Sequence, residues 1–296
     1  MKIWLSAFRL RTLPLALASI GMGSFMALSS GYFDWTIFIF CAMTTIFLQI
    51  LSNLANDYGD TVNGADSEVR EGPQRSVQSG VISIMAMKKA IVIFILLSLL
   101  SGISLLYFSF GLDMKVFAFF LLLGVLAILA AIAYTAGRRP YGYMGLGDLS
   151  VLIFFGAVGV LGTYYLYTQS FSTSLLLPAL SCGLFSVAVL NVNNIRDIES
   201  DKKAGKYSIP VRIGRKAAVN YHIFLLVGGM LAASGYVALN FQSWYQFLFL
   251  LVTPLLIINI KAVRSKGEAR ALDPYLKQMA ISTLIFVLLF GIGHIL

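Results

Sequence analysis

Histidine and cysteine are nearly absent from this chain, which has two of each in 296 residues. Cys41 and Cys182 lie in separate apolar runs without a C-x-x-C partner, so they read as small buried hydrophobes rather than a disulfide or a thiolate metal site. They carry no information about redox compartment. His222 and His294 are isolated, and no H-E-x-x-H, Ser-His-Asp or Cys-His arrangement can be assembled from them. Charged residues are scarce too, at 12 % of the chain. Long polar stretches are correspondingly few, so those that do occur stand out.

Apolar residues fill the space. They make up 58 % of the chain and give a mean hydropathy of +0.84, far from a soluble domain and typical of an integral membrane protein. Crossing ~30 Å of hydrocarbon takes ~20 helical residues. Nine runs qualify, at about 12–30, 36–55, 89–110, 115–135, 148–168, 173–193, 217–239, 244–262 and 277–296. The expectation is an all-α, polytopic protein with nine transmembrane helices. Arg9 and Arg11 come just before the first run and no cleavage pattern follows it, so that run is expected to be a retained span. The 22 Lys and Arg against 13 Asp and Glu give +9, a balance that in a soluble protein would raise nucleic acid as a partner. Topology accounts for it instead. Of the basic residues only Lys115 falls among the turns near Asp34, Asp113, Gln169 and Gln242, which places the N-terminus and all the long loops in the cytoplasm. No nucleic-acid partner is implied.

The polar stretch from Asn53 to Arg75, NLANDYGDTVNGADSEVREGPQR, follows the second run directly. If the helix continues into it, Asn53, Asp57 and Asp60 share a face, because positions three and four apart are neighbours. Asn56 and Asp66 add to the group. Clustered carboxylates near hydrocarbon cost at least ~2.5 kcal/mol each on insertion scales. A cation is therefore expected among them, and oxygen-only ligands suit a hard ion such as Mg2+ held with substrate phosphates. A second cluster closes the sixth run: Asn193, Asn194, Asp197 and Asp201, with Lys202, Lys203 and Lys206 after it. Asp197 and Asp201 are an i, i+4 pair. Two acidic walls interleaved with Arg70, Arg75, Lys202 and Lys206 suit a bound polyanion, with a diphosphate the natural candidate. The two clusters are four spans apart, as in a parallel repeat of about 1–140 and 141–262 with a last helix at about 277–296, in one domain over 1–296. The two long loops are expected to cap the site. Two other classes fit a polytopic chain: a cation-coupled transporter, where intramembrane carboxylates mark ion paths, and a non-catalytic scaffold. The transporter predicts sites near mid-bilayer, whereas these carboxylates lie at span ends, and the scaffold gives no reason for two matched acidic motifs.

Gly142, Gly145 and Gly147 in PYGYMGLGD lack the strand and lysine of a phosphate-binding loop and are expected to form a tight turn into the fifth span. Tyr134, Tyr141 and Tyr143 flank Arg138 and Arg139, either as interfacial belt residues or as the lining of an aromatic substrate pocket.

At these motifs the chain resembles the intramembrane aromatic prenyltransferases of the UbiA-type superfamily. The run from Asn53 to Gly80, GLGD from Gly145 to Asp148, and NNIRDIESDKKAGK from Asn193 to Lys206 are similar to the 1,4-dihydroxy-2-naphthoate prenyltransferases of menaquinone synthesis. The resemblance implies a nine-helix bundle with Mg2+ held by Asn53, Asp57 and Asp60 on one wall and by Asp197 and Asp201 on the other. It implies transfer of a polyprenyl group from its diphosphate to dihydroxynaphthoate with loss of CO2, the four aspartates being catalytic. Another aromatic acceptor such as 4-hydroxybenzoate is the alternative. Gly137-Arg138-Arg139-Pro140 departs from the G-P-x-P-like turn expected of relatives, so its arginines either touch diphosphate or anchor helix ends.

Overall fold

The computed structural model describes residues 2–64 and 75–296. Among the described residues every regular element is helical, and nine helices are long and apolar enough to cross a membrane. They are α1 (Ile3–Ser29), α2 (Trp35–Val62), α3 (Ile84–Phe110), α4 (Met114–Ala133), α5 (Gly147–Thr168), α6 (Thr173–Arg196), α7 (Ile209–Leu239), α8 (Trp244–Ser265) and α9 (Ala269–Ile295). Caps mark where they start. Asp34 accepts from the Thr36 and Ile37 amides at 2.7 and 3.1 Å, Asp113 does the same for Lys115 and Val116, and Ser243 forms a reciprocal box with Gln246. Pro14, Pro210, Pro254 and Pro274 sit in the first turns of the α-helical segments that begin at Leu13, Ile209, Thr253 and Asp273, where a missing N–H leaves no bond unmade.

Several helices run past their apolar stretches. α2 continues through the polar residues 56–62, and α7 starts at Ile209, ahead of the expected 217, because Pro210 opens a helical segment that kinks at Gly214 (φ 78°, ψ 162°) and carries Arg212, Arg215 and Lys216. α1 likewise begins before its apolar run and breaks at Arg9, whose φ of 49° and ψ of 55° are left-handed. α5 is bonded in wide π turns from Leu152 to Gly162, a feature frequent at functional sites.

α6 is the centre of the second half, with 72 % of its apolar window buried. It packs against α5, α7 and α9. Phe185 meets Phe286 edge-to-face at 4.7 Å, and Gly229 of α7 leaves room for the Phe185 ring, since an added Cβ would lie 2.6 Å from it. α4 has only 6 % of its window buried and shows Phe119, Leu122, Leu126 and Leu129 outward. With no water to exclude, such a surface belongs against lipid. α1 lies between α9, α5 and α2. Between it and α2–α5 the bundle leaves the cavity that organises the site.

Candidate active site

The C-terminal end of α2 supplies the first wall. The Asn53 amide donates to the Phe8 carbonyl at 2.9 Å and to the Thr12 hydroxyl at 3.0 Å, and accepts from Gln49 at 3.4 Å. It therefore clasps the break in α1 around Arg9. One turn on, the Asp57 carboxylate accepts from the backbone N–H groups of Ser76 (3.2 Å) and Val77 (3.3 Å), pinning the returning chain to the helix. Asp60 pairs with Arg75 at 2.7 Å and accepts from the Tyr143 hydroxyl at 3.0 Å. The end of α4 presses on this segment at Gly59, where an added Cβ would lie 2.6 Å from the Thr135 backbone. That close approach lets the Thr135 hydroxyl donate to the Ala55 carbonyl and to Asn56, both at 3.1 Å, while Asn63 donates to the Thr135 carbonyl at 2.7 Å.

The end of α6 supplies the second wall. The helix yields at Asp197 and resumes as a short helix, Ile198–Lys203, with the Asp201 amide donating to the Asp197 carbonyl at 2.8 Å. The Arg196 guanidinium grips Asp197 with two bonds of 2.7 Å, donates to Asn193 at 2.9 Å, and reaches Asp273 at the start of α9. This is the planar, bidentate geometry that arginine favours. Lys206 is 6 % exposed and its ammonium lies 3.3 Å from Asp201.

Tyr143 joins the two walls: its hydroxyl is on Asp60, its ring lies 6.0 Å from the Lys206 ammonium, and its carbonyl accepts from the Tyr207 amide at 2.9 Å. Burial pushes the Asp201 carboxyl up to about 6 although Lys206 opposes it. Burial works to lower Lys206, but Asp201 first and Asp60 next outweigh it and hold the ammonium above its ordinary range. Burial also lifts the Tyr134 phenol, with Lys206 acting the other way. These groups thus share one field, in which Asp60 is paired with Arg75, Asp197 with Arg196 and Asp201 with Lys206.

A cavity of about 420 Å³ opens between the walls. Asn53, Asn56, Asp60, Arg75, Asn193 and Lys206 line its polar end. It continues between α1, α2, α3, α4 and α5 past Leu15, Leu106 and Phe120 to Leu166, so that a polar head and a long apolar tail would find matching surroundings. Hard-cation chemistry fits the donors present. All are oxygens, and one Asp201 carboxylate oxygen is buried without a hydrogen-bond partner among the described residues. Among those residues no three His, Cys, Asp or Glu side chains converge on one point. Oxygen donors of this kind suit an ion such as Mg2+, which takes one or two carboxylates and completes its shell with substrate phosphate and water.

Of the remaining expected residues, Asn194 is buried, Lys202, Arg138 and Arg139 are exposed, and Asp66 and Arg70 lie outside the described residues. The PYGYMGLGD segment is a tight turn. Gly145 has a φ of 79°, and Cβ atoms on Gly142 and Gly147 would come within 2.6 and 3.0 Å of Tyr134. Arg196, Thr135 and Asp273 are site residues the sequence does not point to, and Tyr143, a belt or pocket-lining candidate, proves to be a partner of Asp60. Only the position of Arg196 beside Asp197 offered a local signal.

A chamber that is ionic at one end and apolar along its length, within a bundle that has nine candidate membrane spans among the described residues, is suited to an amphiphilic substrate. The sequence profile of the UbiA prenyltransferase family matches residues 16–288, and the chain belongs to that family and is a prenyltransferase. It is 45 % identical over 296 residues to the 1,4-dihydroxy-2-naphthoate octaprenyltransferase of Haemophilus influenzae, covering 99 % of this chain and 96 % of that protein. It is 44 % identical to the Escherichia coli enzyme of the same name, covering 98 % and 94 %. A UbiA homolog from Archaeoglobus fulgidus has the same fold, with a TM-score of 0.66 at 16 % identity over 99 % of both chains. A structure of the Archaeoglobus homolog bound to GPP and Mg2+ matches at 0.61 and 18 % identity, again over 99 % of both.

Proposed function

We propose that the protein transfers a polyprenyl group from polyprenyl diphosphate to 1,4-dihydroxy-2-naphthoate with loss of CO2, in menaquinone biosynthesis. The observation that carries this reading is the near full-length 45 % identity to an enzyme named for that acceptor, and the cavity with an ionic mouth and apolar run supports it. Mg2+ would be held by Asn53, Asp57 and Asp60 on one wall and Asp197 and Asp201 on the other, where it would supply Lewis-acid neutralisation of the diphosphate. Arg75 and Lys206, already at the cavity's polar end, donate to phosphate oxygens and strengthen those bonds as charge builds on the leaving oxygen. Lys202, exposed just past the second wall, and Arg70, which lies outside the described residues, are further candidate diphosphate donors. Tyr143 orients Asp60, and Arg196 orients Asp197. The allylic C–O bond breaks with its electron pair going to diphosphate. The electron-rich ring carbon bonds to the prenyl C1, and the ring–carboxylate bond then breaks, releasing CO2 and returning its pair to the ring as the demethylmenaquinol skeleton. This route calls for positioning and charge stabilisation rather than a strong base, consistent with a site built of carboxylates, amides and cations.

The mouth faces the cytoplasm of a cell whose inner membrane holds the protein, as does the N-terminus. The confinement of all Lys and Arg but Lys115 to one set of loops supports this. The position of the two walls at the ends of α2 and α6, four spans apart, supports two half-repeats, and the segment Ile198–Ser208 would form part of a cap over the mouth. The test is purified protein with Mg2+, a polyprenyl diphosphate and either dihydroxynaphthoate or 4-hydroxybenzoate. Diphosphate release with a prenylated naphthoquinol is expected. Prenylation of 4-hydroxybenzoate alone would overturn the acceptor assignment.

A further inference from the structure

Glycine within a helix is unfavourable relative to alanine, so each one inside a span asks for a reason. In membrane bundles the usual reason is close approach of two backbones, and it holds here for Gly23 and Gly156, where an added Cβ would lie 2.5 and 2.8 Å from a neighbouring carbonyl oxygen, while Gly229 makes room for the Phe185 ring at 2.6 Å. It fails for several others, of which Gly21 and Gly235 lie off the cavity and three line it. A Cβ on Gly102 would meet only Thr44 at 3.7 Å, one on Gly162 only Phe120 at 3.9 Å and Val158 at 4.0 Å, and one on Gly124 nothing within 4 Å. None of the three has the positive φ that would demand glycine. What they share is position: Gly102 on α3, Gly124 on α4 and Gly162 on α5 all line the cavity.

We propose that Gly102, Gly124 and Gly162 keep open the passage for the donor's hydrocarbon tail and so determine the tail length the enzyme accepts. The inference rests on the prenyl-transfer reading above and adds a location to it. Gly162 lies twelve residues along α5 from Ser150, whose hydroxyl is 3.0 Å from that of Tyr141 near the mouth. At 1.5 Å per residue that is at most ~18 Å of depth. A dimethylallyl group, four C–C bonds of ~1.5 Å, reaches no further than ~6 Å from its diphosphate oxygen. A short donor therefore ends before Gly162, whereas an octaprenyl tail must pass it. At that point the Phe120 ring lies beside Gly162, 3.9 Å from where a Cβ would stand, and stacks on Tyr165 at 5.4 Å between ring centroids, so it is backed and cannot retreat freely. The Cβ of a branched side chain at 162 would already touch Phe120, so the rest of the side chain would have to extend into the cavity and narrow it.

The test compares wild type, Gly162→Leu and Gly102→Leu with dimethylallyl diphosphate and octaprenyl diphosphate, the acceptor being held constant. The expected result is a fall in kcat/KM for the octaprenyl donor of roughly tenfold or more, the scale of steric discrimination in apolar pockets, with the dimethylallyl donor little changed. The short donor thus reports on folding. Gly235→Leu is the control: this α7 position is equally roomy, with Leu177 at 3.8 Å, but lies off the cavity, and it should leave the ratio between donors unchanged. Adding Phe120→Ala to Gly162→Leu should restore the long donor. Equal losses for both donors, or no loss for either, would overturn the proposal. A wild-type protein that turns over neither donor would instead overturn the prenyl-transfer reading on which it rests.

Discussion

Lys206→Met removes the ammonium that holds the second wall together while keeping most of its volume. In the native arrangement Lys206 is 6 % exposed, sits 3.3 Å from Asp201, and is felt by Asp60 and Asp197 as well. Removing one partner of a buried ion pair costs ~3–5 kcal/mol because the other charge is left uncompensated. Asp201 is poorly placed to absorb that loss, since one of its oxygens already has no hydrogen-bond partner among the described residues. The variant should therefore unfold in detergent several degrees below wild type. Added Mg2+ should recover part of that loss, and more than it gains for wild type, because a ligand that binds only the folded state stabilises it by mass action and here meets an unbalanced carboxylate. Catalysis should suffer separately. Losing a preorganised donor to the leaving group costs ~3 kcal/mol, or about 100-fold in kcat. Lys266→Ala is the control. Lys266 lies beyond α8 with its ammonium 5.5 Å from the Tyr275 ring, and its loss should leave kcat within a few-fold. The assays are thermal unfolding with and without Mg2+ and steady-state diphosphate release. Lys206→Met with wild-type melting and turnover close to that of Lys266→Ala would refute the assignment of this lysine to the site.

Asp57→Asn should abolish turnover with little change in melting, because the amide oxygen can still accept from Ser76 or Val77; activity like wild type at limiting Mg2+ would remove Asp57 from the metal set. Asp197→Asn should also abolish turnover, but with a lower melting temperature, since it breaks the two-bond grip of Arg196. Single cysteines placed near Lys203 should react with an impermeant thiol reagent only from the cytoplasmic face, and those near Gln169 and Gln242 only from the other. Labelling of all three from one face would contradict the orientation.

The nine candidate spans and the acidic character of both walls are legible in the sequence because hydropathy, the i, i+3 spacing of Asp57 with Asp60 and the i, i+4 spacing of Asp197 with Asp201 are local properties. What is not legible is how the polar ends stay helical and buried. The apolar run of α2 stops near residue 55, yet the helix extends to Val62 because Tyr143, Thr135 and Arg75 arrive from elsewhere to satisfy its polar face. Tyr143 lies 83 residues from Asp60, and no spacing rule connects them. Arg196 looks in sequence like one more positive-inside charge, and only the fold turns its fork onto Asp197 and Asp273. Lys202 and Lys206 are alike in composition and position, but Lys206 is buried against Asp201 and Lys202 faces outward because the short helix ends between them at Lys203.

The Arg196 fork has a consequence for how the enzyme comes into being. Synthesis proceeds from the N-terminus, so α1 to α8, and with them all four aspartates of the proposed metal set, are made before α9. Asp273 arrives with α9, which also packs on α1, α6 and α8. Until it docks, Arg196 lacks one of its two carboxylates and the oldest helix lacks its neighbour. The acidic wall of α6 is thus completed by a late event in membrane assembly, and a chain stalled before its ninth span would carry all four aspartates of the proposed metal set without the Asp273 contact that steadies Arg196.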